Sequence, residues 1–543
     1  MQRICQFVLK SERYVQASVT QTSARRTKFS LKQVPASPVA AASLDKKQVL
    51  TKSSPLFHSS ADLTTTASKP ALTTNSNNFC EKSSKNSSDL PVPDPFDTLF
   101  DALETRRVKK SQKKPKRHFS TPNLNLDMDT ERDFKRLEAK LSNLRQWEHT
   151  PAHEQYLKSQ QGVPFTLCSY NILAQNLLEA HPYLYQNHDS RALPWNQRNE
   201  RLIQEILTIN PQILCLQEMQ ESHLAMFEQQ LSSLDLSVLY KKRTGFKDDG
   251  CAIFYNHKLF NLIEYHTIEY YQPNCQLLNR ENVALVAKLS PKSDPNCTFV
   301  VATTHLLYNP RRQDVRLAQV QVLLAELDRI AFSQDSKYVP VILTGDFNLQ
   351  PYSAPYKLLT RGQLRYDQLM SRTLEKPRNN EQHYDCTGKQ LLPKNLGITD
   401  DCQHLHVVTT NERNYTKLHH TEKIFSVDDM DSNAVVDLTQ DVPFSTGELR
   451  HKFNFNSVYE HKLGQADQEA STFQDQWITV DYIFYSNETS NRQDETLKLL
   501  GRYKLPSVDR CADMGMVPNL YFGSDHLSLA AKFLIKGDDK AKL

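Results

Sequence analysis

Val339-Pro340-Val341-Ile342-Leu343-Thr344-Gly345-Asp346-Phe347-Asn348 begins as an apolar, β-branched run and ends on a glycine, a carboxylate and an amide. Residues 339–343 have the length and composition of a buried strand. Asp346 and Asn348 do not belong inside one, so they fall just past its end. The same pattern recurs on both sides. Short apolar runs at 165–170, 213–216, 251–255, 283–289, 299–303, 478–485 and 527–535 read as strands, and polar residues stand at the ends of several: Asn171, Glu218, His305, Asp481, Asp525 and His526. Between the strands, 198–209 and 315–331 carry apolar residues at helical spacing, the second with Leu317, Val320, Leu324, Leu327 and Ala331 in register. Alternating strands and helices imply a layered α/β domain.

A lone Asp or His at a strand end is usually a cap or a turn residue. Recurrence is what carries information, because strand ends in an α/β domain gather into one cleft. Hydrolysis of a phosphoester needs charge neutralisation, an oriented water and stabilisation of the departing oxygen, and this inventory supplies groups for each. Hard oxygen donors such as Glu218 suit Mg2+. No Cys/His spacing of a zinc site competes, and neither a GxxxxGK[ST] loop nor a GxSxG elbow occurs, which removes the main support for nucleotide-triphosphatase and serine-hydrolase readings.

The chain has 543 residues, and its net charge of +4 does not by itself announce a nucleic-acid binder. Residues 1–160 are rich in Ser, Thr, Lys, Pro and Asn, the composition of a segment that cannot offset its ordering entropy, and the first glycine of the chain, Gly162, marks the boundary of a catalytic domain spanning 161–543. Within this disordered basic tail a short helix is expected near 130–147, with Thr130 and Asp133 placed like a capping box and Phe134, Leu137, Leu141 and Leu144 on one face that docks on the domain. A basic run at 106–117 reads as a nuclear-import signal, an RNA-contacting arm or a solvated charge run, and Ser120 beyond it as a site for a phosphoserine-reading adaptor. A long polar stretch at 373–449 is expected to be a mobile insertion beside the cleft.

Ten scattered cysteines without CxxC pairs suit a reduced, cytoplasmic or nuclear protein, with a mitochondrial presequence as the alternative reading of the basic start. No stretch approaches the roughly 20 apolar residues of a membrane span, so no membrane partner is expected.

Ser169-Tyr170-Asn171-Ile172-Leu173, Leu216-Gln217-Glu218, Thr304-His305-Leu306, Gly345-Asp346-Phe347-Asn348, Val480-Asp481-Tyr482-Ile483 and Ser524-Asp525-His526-Leu527 resemble, in order and spacing, the motifs of the endonuclease/exonuclease/phosphatase superfamily. The resemblance runs from Phe165 to Ile535 and is nearest to the branch of carbon-catabolite-repression deadenylases, nocturnin and the Angel proteins. His305 through Arg312, with Asp314 and Leu317-Ala318-Gln319, and Pro393 through Ile398 look most like Angel proteins. It implies a four-layered α/β sandwich, two mixed sheets face to face with helices outside.

It also implies roles: Glu218 as principal ligand of Mg2+, with Mn2+ as the alternative ion, and Asn171, Asp346, Asn348 and Asp525 completing the metal and phosphate site. His526 would contact the scissile phosphate, oriented by Asp481, Asp346 would position or deprotonate water, and His305 would add a phosphate contact. The implied activity is hydrolysis of 2′,3′-cyclic phosphates at RNA 3′ ends to a cis-diol.

The alternative within the superfamily is a poly(A)-shortening exonuclease, whose relatives clamp adenine between a proline and a phenylalanine. Pro310 matches the first, but Gln476 occupies the second position and Trp477 would need a shift of register to replace it. Ser528 also departs from the proline common after the SDHL motif, and Leu349-Gln350-Pro351 varies the stretch after GDFN. An inactive RNA-binding scaffold would predict missing acids, and all are present; a lipid or inositol phosphatase would be favoured by an apolar docking loop, and none is seen. Arg311, Arg312 and Arg316 are expected to begin a helix and to contact RNA phosphates, since positive charge there opposes the helix dipole.

Overall fold

The structure, a computed structural model, describes residues 128–333, 338–377, 385–410, 443–462, 467–486 and 496–537. The tail ahead of Met128, with its basic run and Ser120, and the larger part of the polar insertion lie outside the described residues.

The strands in chain order are β1 (Trp147–His149), β2 (Val163–Asn171), β3 (Ile213–Gln220), β4 (Leu236–Lys242), β5 (Asp249–Asn256), β6 (Phe260–Glu269), β7 (Val283–Pro291), β8 (Phe299–His305), β9 (Val341–Asp346), β10 (Gln363–Arg365), β11 (Glu448–Arg450), β12 (Phe455–Ser457), β13 (Thr472–Gln474), β14 (Gln476–Ile478), β15 (Asp481–Ser486), β16 (Leu497–Tyr503) and β17 (Leu529–Ile535). One sheet has the order β1-β16-β17-β2-β3-β5-β4 and the other β12-β15-β9-β8-β7-β6. Both are mixed. Each has one parallel pair, β2 with β3 and β8 with β9, flanked by antiparallel neighbours.

The sheets pack face to face through Phe165, Leu167, Ile213, Cys215 and Phe533 of the first and Leu285, Phe299, Val301, Ile342 and Ile483 of the second. Helix α2 (Trp195–Ile209) covers the outer face of the first sheet with Leu202, Ile203 and Ile206, and α3 (Gln313–Ala331) covers that of the second with Leu317, Val320, Leu324 and Leu327. Helix, sheet, sheet and helix make the four layers that the family resemblance implies. Among the described residues no helix is long and apolar enough to cross a membrane.

Two expectations change. The insertion does not lie loosely beside the domain where it is described: Leu391, Leu392, Ile398, Cys402 and Leu449 join the same apolar cluster as α3. Polar contacts fasten it further, with Gln321 Nε2 donating to the Thr399 carbonyl (3.0 Å), Gln403 Nε2 to Asp328 (3.1 Å) and His404 Nε2 lying 2.8 Å from Glu326. This cover explains why α3 is buried along nearly its whole length, its polar Gln319, Gln321 and Asp328 included.

The N-terminal helix α1 (Met128–Leu141) starts two residues before Thr130, so Thr130 lies inside it and does not cap it. Its Leu137 and Leu141, with Leu144 beyond, pack into the core between the sheets, and Arg201 lies 3.8 Å over the Phe134 ring. Beyond the helix the buried Arg145 donates to Glu205 (3.1 Å) and to Ser528 Oγ (3.0 Å). That contact gives Ser528 a partner that a proline could not offer.

Candidate active site

Hydrogen-bond register sets the site. In the second sheet His305 pairs with Asp346 and Asp346 with Asp481, so three functional side chains stand in one row across β8, β9 and β15. In the first sheet Asn171 ends β2 beside Gln217, and Glu218 follows at an irregularity between Leu216 and Met219. Glu218 adopts φ +59° and Asn348 φ +51°, left-handed angles that cost free energy in residues other than glycine and concentrate at functional sites. Gly345 is held at φ +141°, and a Cβ there would meet the Thr304 carbonyl oxygen at 2.0 Å. The motif glycine is what lets β8 and β9 approach.

Asn171 joins the sheets. Its Nδ2 donates to Glu218 Oε1 and to Asp346 Oδ2, both at 3.0 Å, while its Oδ1 accepts from Leu173 N. Glu218 Oε2 accepts from Ala174 N at 2.9 Å. Burial, with Asp525 and then Asp249 facing it, pushes the Glu218 carboxyl up to about 7. Two carboxylate oxygens converging on one amide, in a buried pocket with excess negative charge, form the hard-oxygen environment that a divalent cation relieves. The carboxylates of Glu218 and Asp346 fit such an ion, and Asn171, whose Nδ2 bridges them, would offer it Oδ1 once the amide turns.

Beside them Asp346, Asp481 and His526 bring ligand atoms within 4.8 Å of one another. The contacts favour a proton relay over a second ion: His526 Nδ1 lies 2.8 Å from Asp481 Oδ2, which also accepts from Ser471 Oγ at 2.7 Å. Burial opposes the imidazolium, but Asp481 and then Asp346 and Asp525 outweigh it and hold the His526 pKa well above its ordinary value. Its Nε2 faces Asp346 Oδ2 at 3.7 Å and Asp525 Oδ1 at 3.9 Å. Asp346 itself is raised, by burial first and then by Asp481, while its Oδ1 accepts from Asn348 N at 2.9 Å. His305 Nε2 is 3.5 Å from Asp346 Oδ2, and burial holds its pKa low. Tyr185 donates to Asp525 Oδ2 at 2.8 Å.

The eight motif residues Asn171, Glu218, His305, Asp346, Asn348, Asp481, Asp525 and His526 are thus brought to one place. The arginines stand at the start of α3 as expected, and two of them are engaged by the protein itself. Arg316 is fully buried, its Nη1 donating to the carbonyls of Leu307 (2.8 Å), Tyr308 (3.3 Å) and Asn309 (2.9 Å) and its Nη2 to that of Pro310 (3.2 Å). Arg312, ahead of α3, grips Asp314 through Nε (2.9 Å) and Nη2 (3.1 Å). These guanidiniums shape the loop after His305, Arg316 through main-chain carbonyls and Arg312 through Asp314. Pro310 is exposed in that loop. Gln476 is exposed and pairs with Gln474, whereas Trp477 pairs with Phe473 on the other hairpin face, with ring centroids 5.5 Å apart and both packed against the core between the sheets. No register shift brings Trp477 into the cleft.

Sequence reading missed Arg198, Tyr185, Ser471 and the ion pair of Arg243 with Asp249. Arg198, fully buried, donates to the carbonyls of Gly523 (2.9 Å) and Ile172 (2.7 Å), tying the SYN and SDH segments together. Its role rests on backbone acceptors, which residue types do not reveal. An unpaired arginine in the apolar face of 198–209 was the available signal.

A family profile described as Endonuclease/Exonuclease/phosphatase family matches residues 168–526. Human protein angel homolog 2 is 35% identical over 398 residues, 70% of each chain, and the Drosophila melanogaster protein angel is 34% identical over 376 residues, 68% of this chain and 81% of its own. The crystal structure of ANGEL2, described as a 2′,3′-cyclic phosphatase in complex with adenosine-2′,3′-vanadate, is 34% identical with a TM-score of 0.58 over 72% of this chain and 99% of that one. Site, fold and comparisons together make this chain a member of the endonuclease/exonuclease/phosphatase family in its Angel branch, and a hydrolase of phosphoester bonds.

Proposed function

We propose that the chain hydrolyses 2′,3′-cyclic phosphates at RNA 3′ ends and leaves a 2′,3′-cis-diol. The observation that carries this reading is the buried Asp481–His526–Asp346 relay beside Glu218, in a chain 34% identical to a 2′,3′-cyclic phosphatase. A bound Mg2+, held by Glu218 with Asp346 and Asn171, would supply charge neutralisation at the phosphate. His526, protonated and aligned by Asp481, directs Nε2–H toward the phosphate oxygens. Asp346, in line with His526 across the site, accepts a proton from the attacking water. Water adds to phosphorus and one ribose–oxygen bond to phosphorus breaks, giving a monoester whose released hydroxyl takes up a proton. A second water displaces the remaining ribose oxygen and frees inorganic phosphate. RNA is the proposed partner. Mn2+ is the other ion the oxygen donors suit.

The test uses the purified chain and Glu218→Ala on two short RNAs with added Mg2+, one ending in a 2′,3′-cyclic phosphate and one in oligo(A). Phosphate release without shortening, lost in the variant, is expected. Stepwise removal of adenosines would overturn the reading in favour of a deadenylase.

A further inference from the structure

The cleft mouth carries two aromatic rings that the chemistry above does not use. Tyr308 lies three residues past His305 and is 49% exposed; Tyr183, 42% exposed, lies two residues before Tyr185, whose hydroxyl holds Asp525. The two segments arrive from opposite sheets. Tyr308 follows the end of β8 at His305 and Tyr183 stands next to the Tyr185–Asp525 contact, so both tyrosines border the site that receives the phosphate. Neither segment is loose. The loop carrying Tyr308 is fixed by Arg316 through four successive carbonyls, and the Tyr183 ring stands edge-on to His181, centroids 5.9 Å apart at 76°.

We propose that Tyr183 and Tyr308 form the aromatic walls that take the terminal nucleobase, so that the site selects a nucleoside phosphate over a bare sugar or polyol phosphate. This rests on the proposed action at RNA ends. A 2′,3′-cyclic phosphate is borne by the same ribose as the terminal base, so a phosphate seated at His526 brings that base to the rim. Exposed rings offer a π-face to any base, which gives binding without sequence readout. The hairpin supplies no aromatic wall of its own, because Gln476 is not aromatic and Trp477 packs against the core on the other hairpin face.

Equilibrium binding to the full chain without divalent ion tests this, using five short RNAs that end in a 2′,3′-cyclic phosphate and differ only in the last residue: A, C, G, U or an abasic ribose. The four bases should bind alike and the abasic RNA on the order of ten- to a hundred-fold more weakly, the loss of one stacked base. Tyr308→Ala and Tyr183→Ala should remove most of that difference while leaving abasic binding unchanged, and the Phe variants should restore it. Equal binding of abasic and complete RNA by the natural chain, or discrimination surviving both Ala changes, would overturn the proposal. Absence of phosphate release in Mg2+ with base discrimination intact would count against the cyclic-phosphatase reading alone.

Discussion

Glu218 combines a left-handed backbone with a carboxyl pushed up to about 7 by burial and by Asp525 and Asp249. The unfolded chain ionises this group near 4.5, so the folded, metal-free chain binds the proton more tightly. Stability tied to that proton is fully present below pH 4.5 and is lost as pH rises through about 7. Glu218→Gln should therefore melt higher than the natural chain at pH 8 without divalent ion, by roughly 1–3 kcal/mol, and the gap should close toward pH 4.5. Saturating divalent cation should reverse the order, because it binds the carboxylate and not the amide. Thermal melts at two pH values check both signs; a gap between variant and natural chain no larger at pH 8 than at pH 4.5 would count against the burial cost. At this scale the sequence was most informative, since Asn171, Glu218, His305, Asp346, Asp481 and His526 are chemically out of place in apolar strands. Arg316 was harder to read because its partners are main-chain carbonyls, and a guanidinium in a sequence does not say whether it faces phosphate or backbone.

Among the elements, the buried strands were legible and the half-exposed ones were not. β2, β3, β8 and β9 read as continuous apolar runs because both faces are covered. β6 alternates Asn, Glu, His and Thr with its apolar residues, β4 is partly exposed throughout, and the Lys and Arg of β16 break its pattern, so a search for apolar runs passes over all three. The insertion misled for a related reason: few apolar residues, widely spaced, are enough to cover α3 when they fall on one surface. Gly345 is where an element depends on a single atom. Gly345→Ala would force Cβ against the Thr304 carbonyl and should cost roughly 2–6 kcal/mol, combining overpacking with backbone strain. Urea denaturation gives the measurement, and a loss under about 1 kcal/mol would mean that β8 and β9 part without penalty.

For the molecule as a whole, the segment ahead of β1 belongs to the fold. Arg145, in contact with Glu205 and Ser528, reaches from the N-terminal arm to the residues directly after the SDH motif, and α1 fills the edge of the core with Leu137 and Leu141. A chain starting at Trp147 should melt below one starting at Met128, and Arg145→Ala should account for about 3–5 kcal/mol of that, because it strands the partly buried Glu205 carboxylate. Equal melting temperatures would show the arm to be dispensable. A different consequence follows from Asn171, which leaves one sheet and donates across the seam to Asp346 of the other at 3.0 Å, with Gln217 Nε2 reaching Thr303 nearby at 2.8 Å. Hydrogen bonds tolerate only a few tenths of an ångström, so catalysis works as a vernier on the alignment of two halves that could slide while each keeps its own ladder. Turnover should then fall at lower urea than secondary structure does, which activity and far-ultraviolet dichroism followed together would check.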